Sequence, residues 1–289
     1  MKANVLLAAC LATSVGVAAC GSSHPAEHAE STMPSRSDSS SSMPMPSKSM
    51  PSESMPVADG LSLVAGGYAL KLVQQPSAGK PVRFTITHGG TTVTDFDTEQ
   101  TVRMHLYLIS SNLDGYQHVH PAMDAEGIWS AALGTLPGGA YRLYTQFVPH
   151  AGAQEGPLVL SQEIDIDGPR TPTMTMPPQS VALIDGYKVE LTQQIKDGSA
   201  TMLALTFSKS GKPVTDLQPY LDTYAHVTAI REHDLAFAHL HPGGTAHGDH
   251  GGPALTFHAE FPETGTYRLF VQFQTVGHLH TAVLGLTAS

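Results

Sequence analysis

Two short stretches of the chain carry two histidines separated by one residue and followed by a proline. They read QHVHP at 117–121 and AHLHP at 238–242. Neutral imidazole suits Cu(II), Zn(II) and Ni(II) and does not suit Ca(II) or Mg(II). A lone H-x-H is more often a surface or core pair than a metal site, because short motifs discriminate weakly. The two stretches therefore indicate a metal site only if further histidines join them.

The surroundings of the two stretches are repeated along the chain. GGYALKLVQQ at 66–75 matches DGYKVELTQQ at 185–194, and AYRLYTQF at 140–147 matches TYRLFVQF at 266–273. Such order-preserving matches predict the tandem duplication of one domain-sized unit. The predicted organisation is a signal peptide (1–19), a disordered Met/Ser/Pro-rich tether (20–59), a first domain (60–168), a linker (169–179) and a second domain (180–289).

Each repeat consists of short segments that alternate apolar and polar residues between turn residues, with no helical period. VRFTIT and YRLYTQF are examples. This pattern predicts an all-β chain with two tandem immunoglobulin-like β-sandwich domains. LPGGAY and PETGTY resemble the corner of such sandwiches in which a tyrosine hydroxyl bonds to the preceding loop. Tyr141 and Tyr267 are therefore expected to be structural.

Strand alternation predicts where the histidines of the first domain point. In MHLYLI, His105 and Tyr107 share one face, and His118 and His120 share one face of the next segment. A hairpin with a constant residue sum puts His120 opposite His105 and His118 opposite Tyr107, with Cβ atoms ~5 Å apart. The three imidazoles are expected to lie within reach of one ion.

The second domain repeats this arrangement and adds to it. The segment GHLHTA contributes another H-x-H pair near the end of the chain, where the first domain offers only His150. We therefore expect the preferred metal site in the second domain and a weaker one in the first. The second-domain ligands are His226, His239, His241, His278 and His280, and the first-domain ligands are His105, His118 and His120; His247 and His250, in an inserted loop, are accessory candidates.

Methionines are concentrated in the predicted tether, where there is no core to fill. MPMPSKSMPSESMP contains Met43, Met45, Met50 and Met55. Thioethers are soft ligands that select Cu(I). Low-complexity drift is the alternative origin of such a segment. Together with the imidazoles, the methionines favour copper over zinc as the bound ion.

The first residues have the layout of a secretory signal, with Lys2, an apolar stretch and small residues before Cys20. A lipidated Cys20 would anchor an exported protein to the outer face of the cell membrane; a transmembrane anchor is the alternative, and the stretch is short for one.

Both cysteines lie in this segment, so the domains have no disulfide framework. A net charge of −10 argues against a nucleic-acid partner. No partner protein is indicated.

The pattern MHLYLISSNLDGYQHVHP, followed by a tryptophan and AYRLYTQF, resembles the exported immunoglobulin-like modules related to YtkA-like domains. AHVTAIREHDLAFAHLHP with TYRLFVQF and HLHTA resembles the same module in fuller form. The resemblance covers roughly 61–168 and 180–289. It implies a small sandwich with a role in heavy-metal or copper handling, and it supplies no activity. HLHTA is missing from the first domain, which puts a metal site there in doubt.

Three functions remain open at this level. The leading hypothesis is a non-enzymatic lipoprotein that binds copper, or zinc, as a buffer, scavenger or delivery protein. A structural or adhesive pair of immunoglobulin-like domains without metal is the alternative. A superoxide dismutase-like metalloenzyme is less expected, because the domains lack disulfide cysteines. The chain contains no G-x-S-x-G, phosphate-loop or H-E-x-x-H motif.

Overall fold

The computed structural model describes residues 59–77, 79–150, 156–169, 177, 179–197 and 200–289, with backbone alone for Gln193, Ile195, Asp197 and His239. The regular elements of these residues are all β-strands, which confirms the predicted fold class. Within the same residues, no helix is long and apolar enough to cross a membrane. The predicted signal peptide, Cys20 and nearly all of the predicted tether lie outside the described residues.

The first repeat folds as two sheets over a common core. The strands are β1 (Val64–Ala65), β2 (Tyr68–Leu72), β3 (Val82–His88), β4 (Thr91–Thr92), β5 (Phe96–Asp97), β6 (His105–Ser110), β7 (Tyr116–Val119), β8 (Ala122–Met123), β9 (Trp129–Ala131), β10 (Gly139–Pro149) and β11 (Leu158–Ile166). One sheet has the order β1-β2-β3-β9-β8 with β4 beside β3, and the other has the order β11-β10-β6-β7 with β5 beside β10. Phe84, Trp129, Leu106 and Leu143 are fully buried between the two sheets.

The second repeat builds its core from β12 (Val181–Ile184), β13 (Tyr187–Asp197), β14 (Ala200–Lys209), β15 (Lys212–Pro213), β16 (Ala225–Arg231), β17 (Phe237–Pro242), β18 (Ala254–Glu260), β19 (Gly265–Thr275) and β20 (His278–Ala288). The order is β12-β13-β14-β18-β17-β16-β19-β20, with β15 beside β14. Strand β17 pairs with β16 at Phe237 and Ala238 and with β18 from His239 onward. It therefore joins the two layers.

The two predicted tyrosine corners are present. The Tyr141 hydroxyl donates to the carbonyl of Pro137 at 2.9 Å, and the Tyr267 hydroxyl donates to that of Glu263 at 2.7 Å. Each hydroxyl bonds back to the loop four residues earlier, as in immunoglobulin-like sandwiches. This confirms the structural role expected for both tyrosines.

The two sandwiches pack against each other through a third apolar cluster that contains side chains of both. Tyr116 stacks on Phe270 with ring centroids 4.2 Å apart, and Phe237 packs on Tyr144 at 5.7 Å. Tyr116 and Phe237 occupy matching positions of the repeats, as do Tyr144 and Phe270. The two contacts are therefore equivalent, and the interface is self-complementary in the manner of a two-fold dimer. The buried members are Tyr107, Ile109, Tyr144, Val159, Ile230, Phe237 and Phe270.

The described chain enters at this interface. The Phe237 amide donates to the carbonyl of Asp59 at 2.7 Å. Gly60 follows with a φ of +66°, and a Cβ at this position would lie 2.8 Å from Val159 Cγ1 and 2.9 Å from Phe237 Cβ. Glycine fits this position because it accepts the left-handed backbone and leaves room for both neighbours.

We expect the Phe237→Ala substitution to lower the free energy of unfolding by about 3–5 kcal/mol, the usual cost of truncating a buried phenylalanine. Urea denaturation measures the loss. Leu183→Ala is the control, because Leu183 is 80% exposed and should change stability by less than about 0.5 kcal/mol. Equal effects of the two substitutions would contradict an interface core at Phe237.

Candidate metal centre between the two sandwiches

Three imidazoles converge where the two sandwiches meet. His105 lies on β6, His118 on β7 and His226 on β16, and one ring nitrogen from each lies within 4.8 Å of the other two. All three side chains are buried, with 1%, 8% and 5% of the residue exposed. Two of the histidines come from the first repeat and one from the second. The site therefore belongs to the interface and to neither sandwich alone.

The register of the strands explains this convergence. Tyr107 pairs with His118 in the β6–β7 hairpin, which confirms the predicted register. His105 pairs with Gln146 on β10, and His226 pairs with Gln272 on β19, at matching positions of the repeats. The rings of His105 and His226 are nearly parallel across the interface, with centroids 5.7 Å apart. The face that each repeat was predicted to line with histidine is thus the face on which the repeats pack.

Each imidazole holds one nitrogen against a fixed oxygen. His105 Nε2 lies 3.2 Å from the Glu99 carbonyl, His118 Nδ1 lies 2.7 Å from Gln272 Oε1, and His226 Nδ1 lies 2.9 Å from Gln100 Oε1. The second nitrogens of His105 and His118 lie against each other, and that of His226 lies 3.2 Å from the Tyr107 hydroxyl. Metal-binding histidines also have an oxygen acceptor behind one nitrogen, because it fixes the tautomer and orientation of the ring.

The hydrogen-bond partners at the centre set two ring nitrogens against each other. The Glu99 carbonyl can only accept, so His105 Nε2 donates and a neutral His105 has a bare Nδ1. That atom lies 3.0 Å from His118 Nε2, which is also bare if His118 donates to Gln272 Oε1. Two bare nitrogens at this distance repel each other. Rotating the Gln272 amide, or a cation bound between the nitrogens, removes the conflict.

The surroundings keep these imidazoles neutral. Burial lowers the pKa of His105 to about 4, and repulsion from His120 acts in the same direction. Burial lowers the pKa of His118 well below its usual value, with smaller contributions from His226, His105 and His120. Neutral imidazole is the form that binds a metal ion. At neutral pH, His105 and His118 are therefore ready to act as ligands.

His120 lies at the solvent side of the cluster. Its exposed ring stands 4.8 Å from that of His118 and 5.3 Å from that of His105, nearly perpendicular to both. Strand β7 ends one residue earlier, at Val119. The predicted first-domain set of three histidines is thus brought together, with His226 of the second repeat as an additional member.

Tyr107 and two polar side chains close the opposite side. The Tyr107 ring stacks on His118 at 4.4 Å, and its hydroxyl lies 3.2 Å from His226 Nε2 and donates to Gln146 Oε1 at 3.1 Å. Gln146 Nε2 donates to the Glu99 carboxylate at 3.3 Å. Burial raises the pKa of Glu99. The sequence placed Tyr107 on this face but did not identify Gln146 or Glu99, because nothing in their spacing marks them.

Within the described residues, two of the ligands expected in the second domain, His226 and His280, are not brought together. His226 pairs with Gln272, whereas His280 pairs with Phe273, the next residue along β19. Successive residues of a strand face opposite sides, so His226 and His280 lie on opposite faces of one sheet. His226 faces the other sandwich. His280 packs on Tyr187 and Phe273 of its own domain.

None of the other described candidates belongs to the group of three imidazoles. His280 uses both ring nitrogens, Nδ1 at 2.7 Å from Asp185 Oδ2 and Nε2 at 2.9 Å from Thr275 Oγ1. His278, His241, His247 and His250 are exposed. His239 lies in β17, which leaves β16 after Ala238, and its side chain is outside the description. The predicted tether ligands Met43, Met45, Met50 and Met55 lie outside the described residues.

Comparisons with known proteins identify a family. The model of the family described as "Domain of unknown function (DUF8832)" matches residues 63–159 and 180–289. These ranges cover more than half of the chain, so the chain belongs to this family. No curated protein matches. Among solved structures, one similar chain is the "protein of unknown function from Porphyromonas gingivalis W83", with 13% identity, a TM-score of 0.23, and coverage of 78% of this chain and all of the other.

We expect the stability of the protein to fall as the pH drops below about 6.5. Unfolded histidine titrates near that value, whereas the folded-state pKa of His105 is about 4. Between these values the unfolded chain binds a proton that folded His105 does not. Over this range, the titration of His105 lowers the free energy of unfolding by about 1.4 kcal/mol for each unit that the pH falls. Above pH 6.5 the titration of His105 causes no loss of stability.

Urea denaturation at pH 7, 6 and 5 measures this slope. His105→Gln should flatten the profile relative to the unchanged protein. His278→Gln, which alters an exposed histidine, should leave the profile as it is. A slope that His105→Gln does not reduce would contradict the lowered pKa.

Proposed function

We propose that this DUF8832 protein binds one copper or zinc ion between its two sandwiches, through His105, His118 and His226. The observation that carries this proposal is the arrangement of three buried imidazoles from both repeats, each with one nitrogen held by an oxygen acceptor. Imidazole ligands favour Cu(II) and Zn(II) among the available divalent ions. The 3.0 Å between His105 Nδ1 and His118 Nε2 falls within ~2.8–3.3 Å, the separation expected for neighbouring nitrogen ligands around such ions.

His120 supplies the fourth ligand in this proposal. Its ring is adjacent to two of the three buried imidazoles and is exposed to solvent. A histidine at the solvent side lets an ion reach the buried ligands in steps, through a partly hydrated intermediate. Such a position suits a protein that takes up and releases metal. A site closed on all sides by protein ligands would suit a purely structural ion better.

The predicted tether fits a role in copper delivery. The described chain enters at the interface, where the Phe237 amide donates to the Asp59 carbonyl. Met55 precedes Asp59 by four residues, and a chain of that length spans at most ~14 Å. We propose that Met43, Met45, Met50 and Met55 collect Cu(I), and that the imidazole centre holds the ion.

The proposed setting is the outer face of the cell membrane, with the protein exported and anchored through a lipid on Cys20. The predicted signal segment supports this location. An exported copper-binding lipoprotein would act as a buffer, a scavenger or a donor of the ion to a partner. The proposal includes no catalytic reaction.

A structural pair of domains without metal is the second candidate. The aromatic cluster that joins the sandwiches supports it, because aromatic side chains of the two repeats pack directly on each other there. In this alternative, the histidines serve as a polar network of the interface. The alternative predicts no change in melting temperature on addition of metal.

We expect Cu(II) or Zn(II) to raise the melting temperature, since an ion that binds only the folded state stabilises it by about 2.7 kcal/mol at 100 times its Kd. Isothermal titration calorimetry should give one equivalent that His118→Ala abolishes. His278→Ala is the control, because it removes an exposed histidine of the second domain outside the cluster. Retention of that equivalent in His118→Ala would place the metal elsewhere.

The position of the centre between the repeats gives a further expectation. His105→Ala, in the first repeat, and His226→Ala, in the second, should each remove the same equivalent of metal. The double variant should lose no more than either single variant, because the substitutions act on one site. Two independent sites, one in each sandwich, would instead give half the loss in each single variant and the full loss in the double variant.

A further inference from the structure

A row of three side chains crosses the outer face of the second sandwich, away from the interdomain centre. Met202 on β14 pairs with His258 on β18, and His258 pairs with His241 on β17. The next residues along these strands, Leu203, Phe257 and Leu240, are buried in the domain core. Since side chains alternate along a strand, the row faces outward. His258 and His241 are exposed, and Met202 is half-buried.

We infer that Met202, His258 and His241 form a second metal site, open to solvent, that takes Cu(I). A thioether is a soft ligand that selects Cu(I), and imidazole also binds copper. One sulfur and two nitrogens give this site a softer ligand set than the all-imidazole centre. The second site therefore differs from the first in the oxidation state that it prefers.

The spacing of the row allows three ligands to reach one ion. Directly paired residues have Cβ atoms ~5 Å apart, so His258 lies about that far from each of its two partners. The two outer strands are ~9.6 Å apart, twice the usual strand separation. Methionine has three rotatable side-chain bonds and can extend toward its neighbour. An ion above His258 is therefore within reach of Met202 from one side and His241 from the other.

The first sandwich lacks these residues. The Val93 amide donates to the Ile86 carbonyl in the first sandwich, and the Val214 amide donates to the Phe207 carbonyl in the second. Ile86 on β3 therefore corresponds to Phe207 on β14. By this correspondence Pro81 takes the place of Met202. Continuation of the Val82–Ala131 pairing places Ala132 opposite Pro81, where the second sandwich has His258. Of the two sandwiches, as far as the structure describes them, the second is therefore expected to carry this site.

The test uses the full chain and Cu(I), without oxygen, in competition with the chromophoric chelator bicinchoninate. We expect Met202→Leu to weaken binding of one Cu(I) equivalent at least 10-fold and His258→Ala to abolish it. His278→Ala is the matched control, since it removes an exposed histidine outside the row. The tether methionines are the same in every variant, so their contribution cancels in the comparison.

A second measurement reports on Met202 directly. With 13C-labelled methionine methyl groups, the Met202 resonance, identified by its loss in Met202→Leu, should shift on addition of one equivalent of Cu(I). The shift should disappear in His258→Ala. His258→Gln replaces His258→Ala if circular dichroism shows that the alanine variant is unfolded.

Unchanged Cu(I) binding in Met202→Leu and His258→Ala would overturn the inference. A loss in His258→Ala alone, with a static Met202 methyl signal, would also overturn it, because the thioether would then not be a ligand. His118→Ala should leave this Cu(I) equivalent intact while abolishing the Cu(II) or Zn(II) equivalent of the interdomain centre. Failure of either site can thus be recognised without reference to the other.

Discussion

The structure depends on the packing of the two repeats through faces that carry aromatic and imidazole side chains together. Tyr116 packs on Phe270, and Phe237 packs on Tyr144, across the interface. His105, His118 and His226 are buried there as a consequence. Buried polar groups must be paired, and each ring has an oxygen acceptor behind one nitrogen. The same burial keeps His105 and His118 neutral, which links the packing of the domains to the proposed binding of a metal ion.

Much of the fold could be predicted from the sequence, because its determinants are local. Alternating segments gave the strands, and the residue sum of the β6–β7 hairpin gave the pairing of Tyr107 with His118. The two tyrosine corners followed from short motifs that recur in both repeats. The first-domain histidines also followed from alternation. Each of these features involves residues that are close in the sequence or adjacent in a ladder.

The assembly of the site could not be predicted in the same way, because it depends on how one repeat packs on the other. Alternation predicted a histidine-lined face in each repeat, but it could not show that the first repeat covers His226. His226 and His280 were expected to share one site, but they pair with Gln272 and Phe273, two successive residues of β19. Successive residues face opposite sides of the sheet, so the two histidines do not meet. One signal was available. Both repeats carry histidine on the matching face, as two self-complementary surfaces would require.

The duplication also explains why the two repeats need not contribute equally to a site between them. His105 and His226 hold matching positions and lie across the interface from each other. Their further partners differ, because β7 stays paired with β6 through Val119, whereas β17 leaves β16 after Ala238 and joins β18. The same departure places His241 beside His258 on the outer face of the second sandwich. One change of strand pairing thus removes His241 from the interface and adds it to the surface row that contains Met202. Two repeats with a common sequence pattern can therefore carry chemically different sets of side chains.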